Sequence, residues 1–136
     1  MHEKLRIEKF KALKIKDVME APVTSEQSEG LDQLNPKFIR SPSEMVGVVS
    51  EGKLKGVVTR TNLSNGLMAG KRSVVELMQE NPITIGEDGT VEDAIQLMTS
   101  RQFDKLPVID AEGHFVGVVS KKSLLRQAAH DLSIEY

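Results

Sequence analysis

A repeated stretch is the feature that most restricts the fold of this chain of 136 residues. Residues 51–63 read EGKLKGVVTRTNL and residues 112–124 read EGHFVGVVSKKSL, and the two align without a gap. Glu, Gly, Gly, Val, Val and Leu are identical, Thr59 matches Ser120, and Arg60 matches Lys121. Such a match in a short chain indicates two copies of one structural unit.

Each copy has the pattern of a β-hairpin that continues into a helix. In the later copy, short β-branched runs at 106–109 and 115–119 flank a polar turn and predict two strands. The second strand ends at Ser120, just before a helical pattern over 123–129. The free N–H groups and positive dipole at a helix N-terminus favour phosphate or carboxylate oxygens. A plain N-cap is the alternative, since Ser and Thr are preferred capping residues.

A second repeated unit precedes each hairpin. Residues 16–24 and 75–84 each read as a short helical turn, a proline and the start of a strand. A longer helix then follows in the later copy, with apolar positions at the i, i+3, i+4, i+7 spacing: Val91, Ala94, Ile95 and Met98. The later copy is therefore predicted to run strand, helix, strand, strand, helix.

The earlier copy is degraded where the later one has that helix. Pro36 occupies what would be the helix interior, at a cost of about 3 kcal/mol if it stayed there. Residues 25–30 and 40–44 have loop-like composition. We predict a short, broken or displaced helix here, and the least ordered internal region over residues 25–44.

The chain is predicted to divide into three parts. Residues 1–13 form an N-terminal amphipathic helix or linker, which packs on its own domain or belongs to a larger protein. Residues 14–70 form the first, degenerate repeat, and residues 71–136 form the second repeat with a C-terminal helix.

Composition excludes several classes of function. A net charge of −2 gives no sign of a nucleic-acid surface. Without Cys there are no disulfides, thiol nucleophiles or Cys-ligated metals. No apolar run has membrane-spanning length and the start lacks a signal-peptide core, so we expect a cytoplasmic protein without membrane insertion. His2, His114 and His130 are scattered, and no catalytic or metal-binding motif appears, so an enzyme is the least favoured reading.

These motifs and their order resemble a tandem pair of CBS domains, the Bateman module. The later copy carries the better match, at NPIT (81–84), KLPVID (105–110) and EGHFVGVVS (112–120), and the resemblance covers roughly residues 14–129. It implies an α+β (α/β-like) fold in which each motif is a small mixed β-sheet with two helices on one face. The two motifs are expected to be related by a pseudo-twofold axis and to pack through their sheets.

The resemblance also implies a function. Such modules form homodimers and bind adenosine-type ligands, here AMP, ADP, ATP or another adenosine derivative, in clefts between motifs, and no cofactor is required. Occupancy is passed to a partner enzyme or transporter. The alternative is a structural dimerisation module that has lost its ligand.

One departure from the family concerns the pattern Gly-x-x-Ser/Thr-x-x-Asp. The family's Asp, which binds the ribose hydroxyls, is replaced by Asn62 and Ser123. A carboxylate accepts from both hydroxyls through charge-assisted hydrogen bonds, whereas Asn offers one carbonyl and Ser is shorter. Ribose binding is therefore expected to be weaker, or the ligand to differ.

The predicted cleft of the second motif combines three strand ends. Ser120 and its helix N-terminus would hold phosphate, and Lys121 or Lys122 would neutralise it, so ATP or ADP is expected to bind better than adenosine. The predicted ligand-binding residues of the second motif are Pro82, Ile83, Thr84, Lys105, Leu106, Pro107, Ser120, Lys121, Lys122 and Ser123. Those of the first motif, expected to bind more weakly, are Val23, Thr24, Val46, Thr59, Arg60 and Asn62.

Overall fold

The computed structural model describes residues 2–41 and 44–132. In the first half the elements are α1 (His2–Ala12), α2 (Ile15–Val18), β1 (Thr24–Glu26), a 3-10 turn (Leu31–Gln33), α3 (Leu34–Arg40), β2 (Met45–Ser50), β3 (Lys53–Thr59) and α4 (Arg60–Met68). In the second half they are α5 (Val74–Leu77), β4 (Gln79–Glu80), β5 (Ile85–Gly86), α6 (Val91–Arg101), β6 (Lys105–Ile109), β7 (Phe115–Ser120) and α7 (Lys121–Leu132). From β5 to α7 the order is strand, helix, strand, strand, helix, as predicted.

Two small mixed sheets form the framework, and the predicted α+β class is confirmed. The first has the strand order β1-β2-β3-β4 and the second the order β5-β6-β7. In each, the first strand pairs in parallel with the second, which forms an antiparallel hairpin with the third. The repeated sequence forms the same register twice, since Met45 pairs with Thr59 and Lys105 pairs with Ser120.

Each sheet is extended by a segment that precedes the other sheet's strands. β4 follows α5 in the second half of the chain, yet it pairs with β3 of the first sheet. Glu20 makes the reciprocal pairing with Val118 of β7, through backbone hydrogen bonds of 2.8 and 3.0 Å. The helical turn before each segment also packs on the other sheet. Ile15 of α2 is buried in the core of the second sheet, and Val74 of α5 is buried in the core of the first.

Gly117 and Gly56, which are equivalent in the repeat, make room for these edge segments, which the two halves of the chain exchange. A Cβ on Gly117 would lie 2.6 Å from Met19 Sδ and 2.8 Å from the Glu20 carbonyl oxygen. A Cβ on Gly56 would lie 2.7 Å from the Gln79 carbonyl oxygen. At these distances a side chain would displace the incoming backbone, so the first residue of each Gly-x-x-Ser/Thr pattern is needed for close approach.

The two sheets contact each other face to face and at their hairpin tips. The side chains between the faces form one apolar cluster: Met45, Val49, Val57, Phe115 and Val118. At the tips, Leu54 N–H donates to the Gly113 carbonyl at 3.1 Å, and Phe115 N–H donates to the Gly52 carbonyl at 3.2 Å. These reciprocal bonds relate equivalent hairpins, as expected for a pseudo-twofold pair.

The degraded helix of the first repeat is short, as predicted. A 3-10 turn precedes α3, and Pro36 is the third residue of α3 rather than an interior one. The first-turn positions of a helix lack an intrahelical acceptor for their N–H groups, so proline costs little there. Phe38, 1% exposed, anchors α3 in the core of the first sheet.

An ion pair links this region to β1. The Lys37 ammonium donates to the Glu29 carboxylate and, at 2.6 Å, to the Thr24 carbonyl. The Ser25 hydroxyl also donates to Glu29, at 3.3 Å. The hydrogen bond from Lys37 is the main cause that lowers the pKa of the Glu29 carboxyl below its ordinary 4.5.

We expect Glu29→Gln to lower the free energy of unfolding by about 1 kcal/mol at pH 7, between the values for exposed and buried charged hydrogen bonds. Because the folded pKa of Glu29 is depressed, its contribution is present above the unfolded pKa and is lost as the pH falls through the folded pKa. Urea unfolding at pH 7 and pH 3 measures this, with exposed Glu8→Gln as the control. A deficit of equal size at both pH values would contradict the ionic origin.

Candidate functional site

Two adjoining grooves open where β3 and β7 end. The Thr59 groove, of about 150 Å³, is lined by Met45, Val57, Thr59, Gln79, Pro82, Ile83, Phe103, Asp104, Lys105 and Pro107. The Ser120 groove, of about 400 Å³, is lined by Glu44, Asp104, Lys105, Ser120, Lys121, Lys122 and Leu125. Both grooves draw residues from both repeats, and they share Asp104 and Lys105.

The structure separates the residues predicted to meet in one cleft. Pro82, Ile83, Lys105 and Pro107 do come together, but the hydroxyl beside them is that of Thr59. Ser120 lies with Lys121 and Lys122 in the other groove, so the predicted grouping of Ser120 with Pro82 and Ile83 is corrected. The cause is the strand exchange, because β4 pairs antiparallel with β3 and places Gln79 opposite Val57, two residues before Thr59. Pro82 and Ile83, which follow β4, line the same groove as Thr59.

Two residues that were predicted to line a cleft are instead buried in the cores of the sheets. Leu106 is 1% exposed in the core of the second sheet, and Val46 is fully buried in that of the first. Successive side chains of a strand point to opposite faces. Since Lys105 and Pro107 face the Thr59 groove, Leu106 between them faces the core. The same alternation places Met45 in the groove and Val46 beneath it, a signal that was present in the sequence.

The remaining predicted residues lie outside both grooves. Val23 packs against the core of the first sheet, and Thr84 is half-buried just before β5. The Thr24 carbonyl accepts from Lys37. Arg60 is held away by two partners, since its Nε lies 3.2 Å from a Glu44 oxygen and its guanidinium lies 5.7 Å from the centre of the Phe38 ring.

Asn62 and Ser123 serve as capping residues at the positions of the family's Asp. Asn62 Oδ1 accepts from the Thr59 N–H at 3.0 Å, and Thr59 Oγ1 accepts from the Asn62 N–H at 3.2 Å. Ser123 and Ser120 make the same reciprocal pair, at 2.9 and 3.0 Å. Both hydroxyls therefore cap the helices that follow them. Within the described residues, the Ser120 hydroxyl also donates, to Glu20 Oε1 at 3.2 Å, whereas the Thr59 hydroxyl does not donate.

Sequence reasoning missed several groove residues. Gln79 reaches the Thr59 groove only through the exchanged strand, and Phe103 and Asp104 come from the turn before β6. No local pattern marks these three residues. Asp104 is also a backbone anchor, because its carbonyl accepts from the Lys121 N–H at 2.9 Å and so fixes the start of α7 beside the groove.

A cluster of Asp110, Glu112 and His114 brings potential metal ligands within 4.8 Å of one another at a hairpin tip. Its geometry is that of a turn. Asp110 Oδ1 accepts from the backbone N–H groups of Glu112 and His114, each at 2.9 Å. The N–H of His114 is the main cause that lowers the pKa of the Asp110 carboxyl. Turn stabilisation accounts for this cluster.

The fold and grooves define a class of protein: a tandem α+β module whose repeats exchange edge segments and share grooves at their strand ends. Residues 74–130 match the model of the CBS domain family. The solved CBS domain pair of protein MJ0100, in complex with 5′-methylthioadenosine and S-adenosyl-L-methionine, has a TM-score of 0.78 and 25% sequence identity to this chain. The alignment covers 88% of this chain and 98% of that one. Residues 74–130 therefore match a CBS domain, and the chain as a whole has the fold of a solved CBS-domain pair.

The chain is also similar to parts of larger enzymes. It is 33% identical over 87 residues to an inosine-5′-monophosphate dehydrogenase of Thermoplasma acidophilum, covering 63% of the chain and 18% of the enzyme. It is 30% identical over 112 residues to a homoserine O-acetyltransferase of Methanosphaerula palustris, covering 81% of the chain and 23% of the enzyme. The chain thus spans about a fifth of the length of these curated relatives.

Across residues 2–41 and 44–132, none of the helices combines the length and the apolar character that crossing a membrane requires.

Proposed function

We propose that this chain binds an adenosine-type ligand in the Thr59 groove and that occupancy regulates a partner enzyme or transporter. The observation that carries the proposal is the composition of the groove. It combines apolar side chains from both repeats with a hydroxyl at the N-terminus of α4. The MJ0100 pair, which has the same fold, was solved with two adenosine derivatives.

Different parts of the Thr59 groove suit different parts of such a ligand. Ile83, Phe103 and Pro107 form an apolar slot suited to a purine ring. Thr59 and the first turn of α4 are suited to phosphate oxygens, and Lys105 adds positive charge on the same side. Within the described residues the Thr59 hydroxyl accepts from Asn62 and donates to no partner, so its proton is available to a ligand.

Regulation would follow from the shared construction of the groove. Thr59 ends a strand of the first sheet, while Ile83 and Pro107 belong to the second repeat, and Gln79 lies on the strand exchanged between them. A ligand in contact with all of them favours one arrangement of the two repeats. An attached or associated protein that senses that arrangement would respond to occupancy.

Restoring the family's carboxylate should test the ribose contact. We expect Asn62→Asp to bind AMP about fivefold more tightly, since a charge-assisted hydrogen bond is worth about 1 kcal/mol more than a neutral one. The capping pair should persist, because Thr90 and Asp93 form the same pair at the start of α6 with matching distances of 3.0 and 3.2 Å.

Calorimetry with AMP and with 2′-deoxy-AMP measures the gain, which should be smaller for the deoxy ligand. Asp93→Asn is the matched control, as it makes the reverse change in an equivalent cap outside both grooves. If AMP, adenosine and S-adenosylmethionine all fail to bind to the wild type and to Asn62→Asp, the proposed ligand class is refuted.

The second candidate is a purely structural dimerisation module. It is favoured by the capping bonds, which explain both hydroxyls without a ligand. It is also favoured by exposed apolar side chains on two helices, with Ile95 of α6 37% exposed and Leu125 of α7 47% exposed. These side chains border an apolar groove whose other walls include Phe10 and Leu124.

Under either candidate we propose a homodimer that covers α6 and α7. Sedimentation equilibrium should show a dimer at tens of micromolar. Leu125→Arg should shift the chain toward monomer, because a charge placed in an apolar interface is costly to desolvate. Leu5→Arg, on the exposed side of α1, is the control and should remain dimeric. A monomeric wild type would reject the proposal.

A further inference from the structure

Glu20 places a carboxylate at the hydroxyl that borders the Ser120 groove. Its backbone is paired with Val118 two residues before the end of β7, and its Oε1 accepts from Ser120 Oγ at 3.2 Å. Ser120 Oγ also accepts from the Ser123 N–H at 3.0 Å. The Ser120 hydroxyl therefore donates one hydrogen bond and accepts another, and the acceptor of its hydrogen bond is a carboxylate oxygen.

The other groove has a neutral residue at the matching position. Gln79 pairs with Val57 as Glu20 pairs with Val118, and these valines stand at the same place in the repeated sequence. Gln79 lines the Thr59 groove, whose hydroxyl keeps a free proton within the described chain. The exchanged segments thus bring an amide to one strand end and a carboxylate to the other.

We propose that Glu20 sets the charge preference of the Ser120 groove, so that this groove takes uncharged or cationic adenosine derivatives and rejects phosphorylated ones. The proposal rests on the proposed function and adds a ligand class to each groove. Phosphorylated ligands would then bind in the Thr59 groove. For the Ser120 groove, this reverses the preference for ATP over adenosine that the sequence predicted.

The position of the Glu20 carboxylate supports this division. A phosphate oxygen in contact with Ser120 Oγ would lie within a few ångströms of the Glu20 carboxylate, where like charges repel appreciably even at a protein surface. The lysines that line the groove are Lys105, Lys121 and Lys122. Two further carboxylates, those of Glu44 and Asp104, line the same groove. Glu44 is already paired with Arg60. The contact of the Glu20 carboxylate with Ser120, rather than the net charge of the groove, therefore disfavours phosphate there.

Amide chemical shifts can follow the two grooves separately, with Lys121 reporting on the Ser120 groove and Arg60 on the Thr59 groove. The labelled chain would be titrated with AMP, adenosine and S-adenosylmethionine. For the wild type we expect AMP to shift Arg60 before Lys121, and adenosine and S-adenosylmethionine to shift Lys121.

The two exchanged positions provide matched variants. Glu20→Gln should strengthen AMP binding at Lys121 about tenfold, as expected when a like charge at contact range is removed, and leave adenosine within about twofold. Gln79→Glu should weaken AMP binding at Arg60 by a similar factor. A structural role alone would not change the ratio of AMP to adenosine affinity, and Gln79→Glu tests the same rule if Glu20→Gln loosens the cap of α7.

The titrations distinguish a failure of the role proposed for Glu20 from a failure of the proposed function. If adenosine binds but the AMP-to-adenosine ratio at Lys121 is the same in the wild type and in Glu20→Gln, the role of Glu20 is refuted while the proposed function stands. The same conclusion follows if wild-type AMP binds at Lys121 as tightly as at Arg60. If none of the three ligands binds to the wild type or to either variant, the proposed function and this inference are both refuted.

Discussion

Replacing Ile15 by Ala should lower the free energy of unfolding by about 2–5 kcal/mol, the range for large-to-small changes in a packed core. Ile15 is 0% exposed, and it packs among side chains of the second sheet and its helices. Ile15 precedes the strands of the first sheet in the chain. A loss of stability in Ile15→Ala would therefore show that α2 stabilises the second sheet. Urea unfolding followed by circular dichroism measures it.

Ile39→Ala is the matched control for Ile15→Ala. The Ile39 side chain is 80% exposed on α3, so removing it should change the free energy of unfolding by less than about 0.5 kcal/mol. Hydrogen exchange on Ile15→Ala should show faster opening in β6 and β7 than in β2 and β3. Faster exchange confined to the first sheet would contradict the exchanged packing of α2.

The second large effect is expected for Gly117→Ala, at about 1–3 kcal/mol of destabilisation, as for an overpacked core. The added Cβ would lie 2.8 Å from the Glu20 carbonyl oxygen, which accepts the Val118 N–H, so the chain must move at the point of exchange. The amides of Glu20 and Val118 should then exchange faster. Urea unfolding and hydrogen exchange together measure the two effects.

Gly86→Ala, in β5 of the same sheet, provides the control. A Cβ at Gly86 has no atom of the described chain within 4 Å, so the variant should be neutral or gain up to about 1 kcal/mol from a stiffer unfolded chain. Equal stability of the Gly117 and Gly86 variants would show that the exchanged segment yields without cost. The close approach would then not explain the repeated glycine.

Much of the architecture follows from local pattern. The spacing of Val91, Ala94, Ile95 and Met98 predicted α6. Val91, Ala94 and Met98 are buried, whereas Ile95 is 37% exposed. The proline in the first repeat predicted a short helix, and α3 has seven residues. Helical periodicity, turn residues and caps act over a few positions, so a single sequence displays them directly. The repeat boundaries at residues 14 and 71 remain a prediction.

The groove could be predicted only in part, and the physical reason lies in the exchange. The sequence by itself determined the two repeats, the hydroxyls that end β3 and β7, and the caps that hold them. The tertiary structure decided which hydroxyl meets which apolar residues. Because Gln79 pairs with β3 and Glu20 pairs with β7, Thr59 joins Ile83 and Pro107, and Ser120 meets a carboxylate distant in the chain. Pairings of this kind depend on contacts between residues far apart in sequence, which no local pattern records.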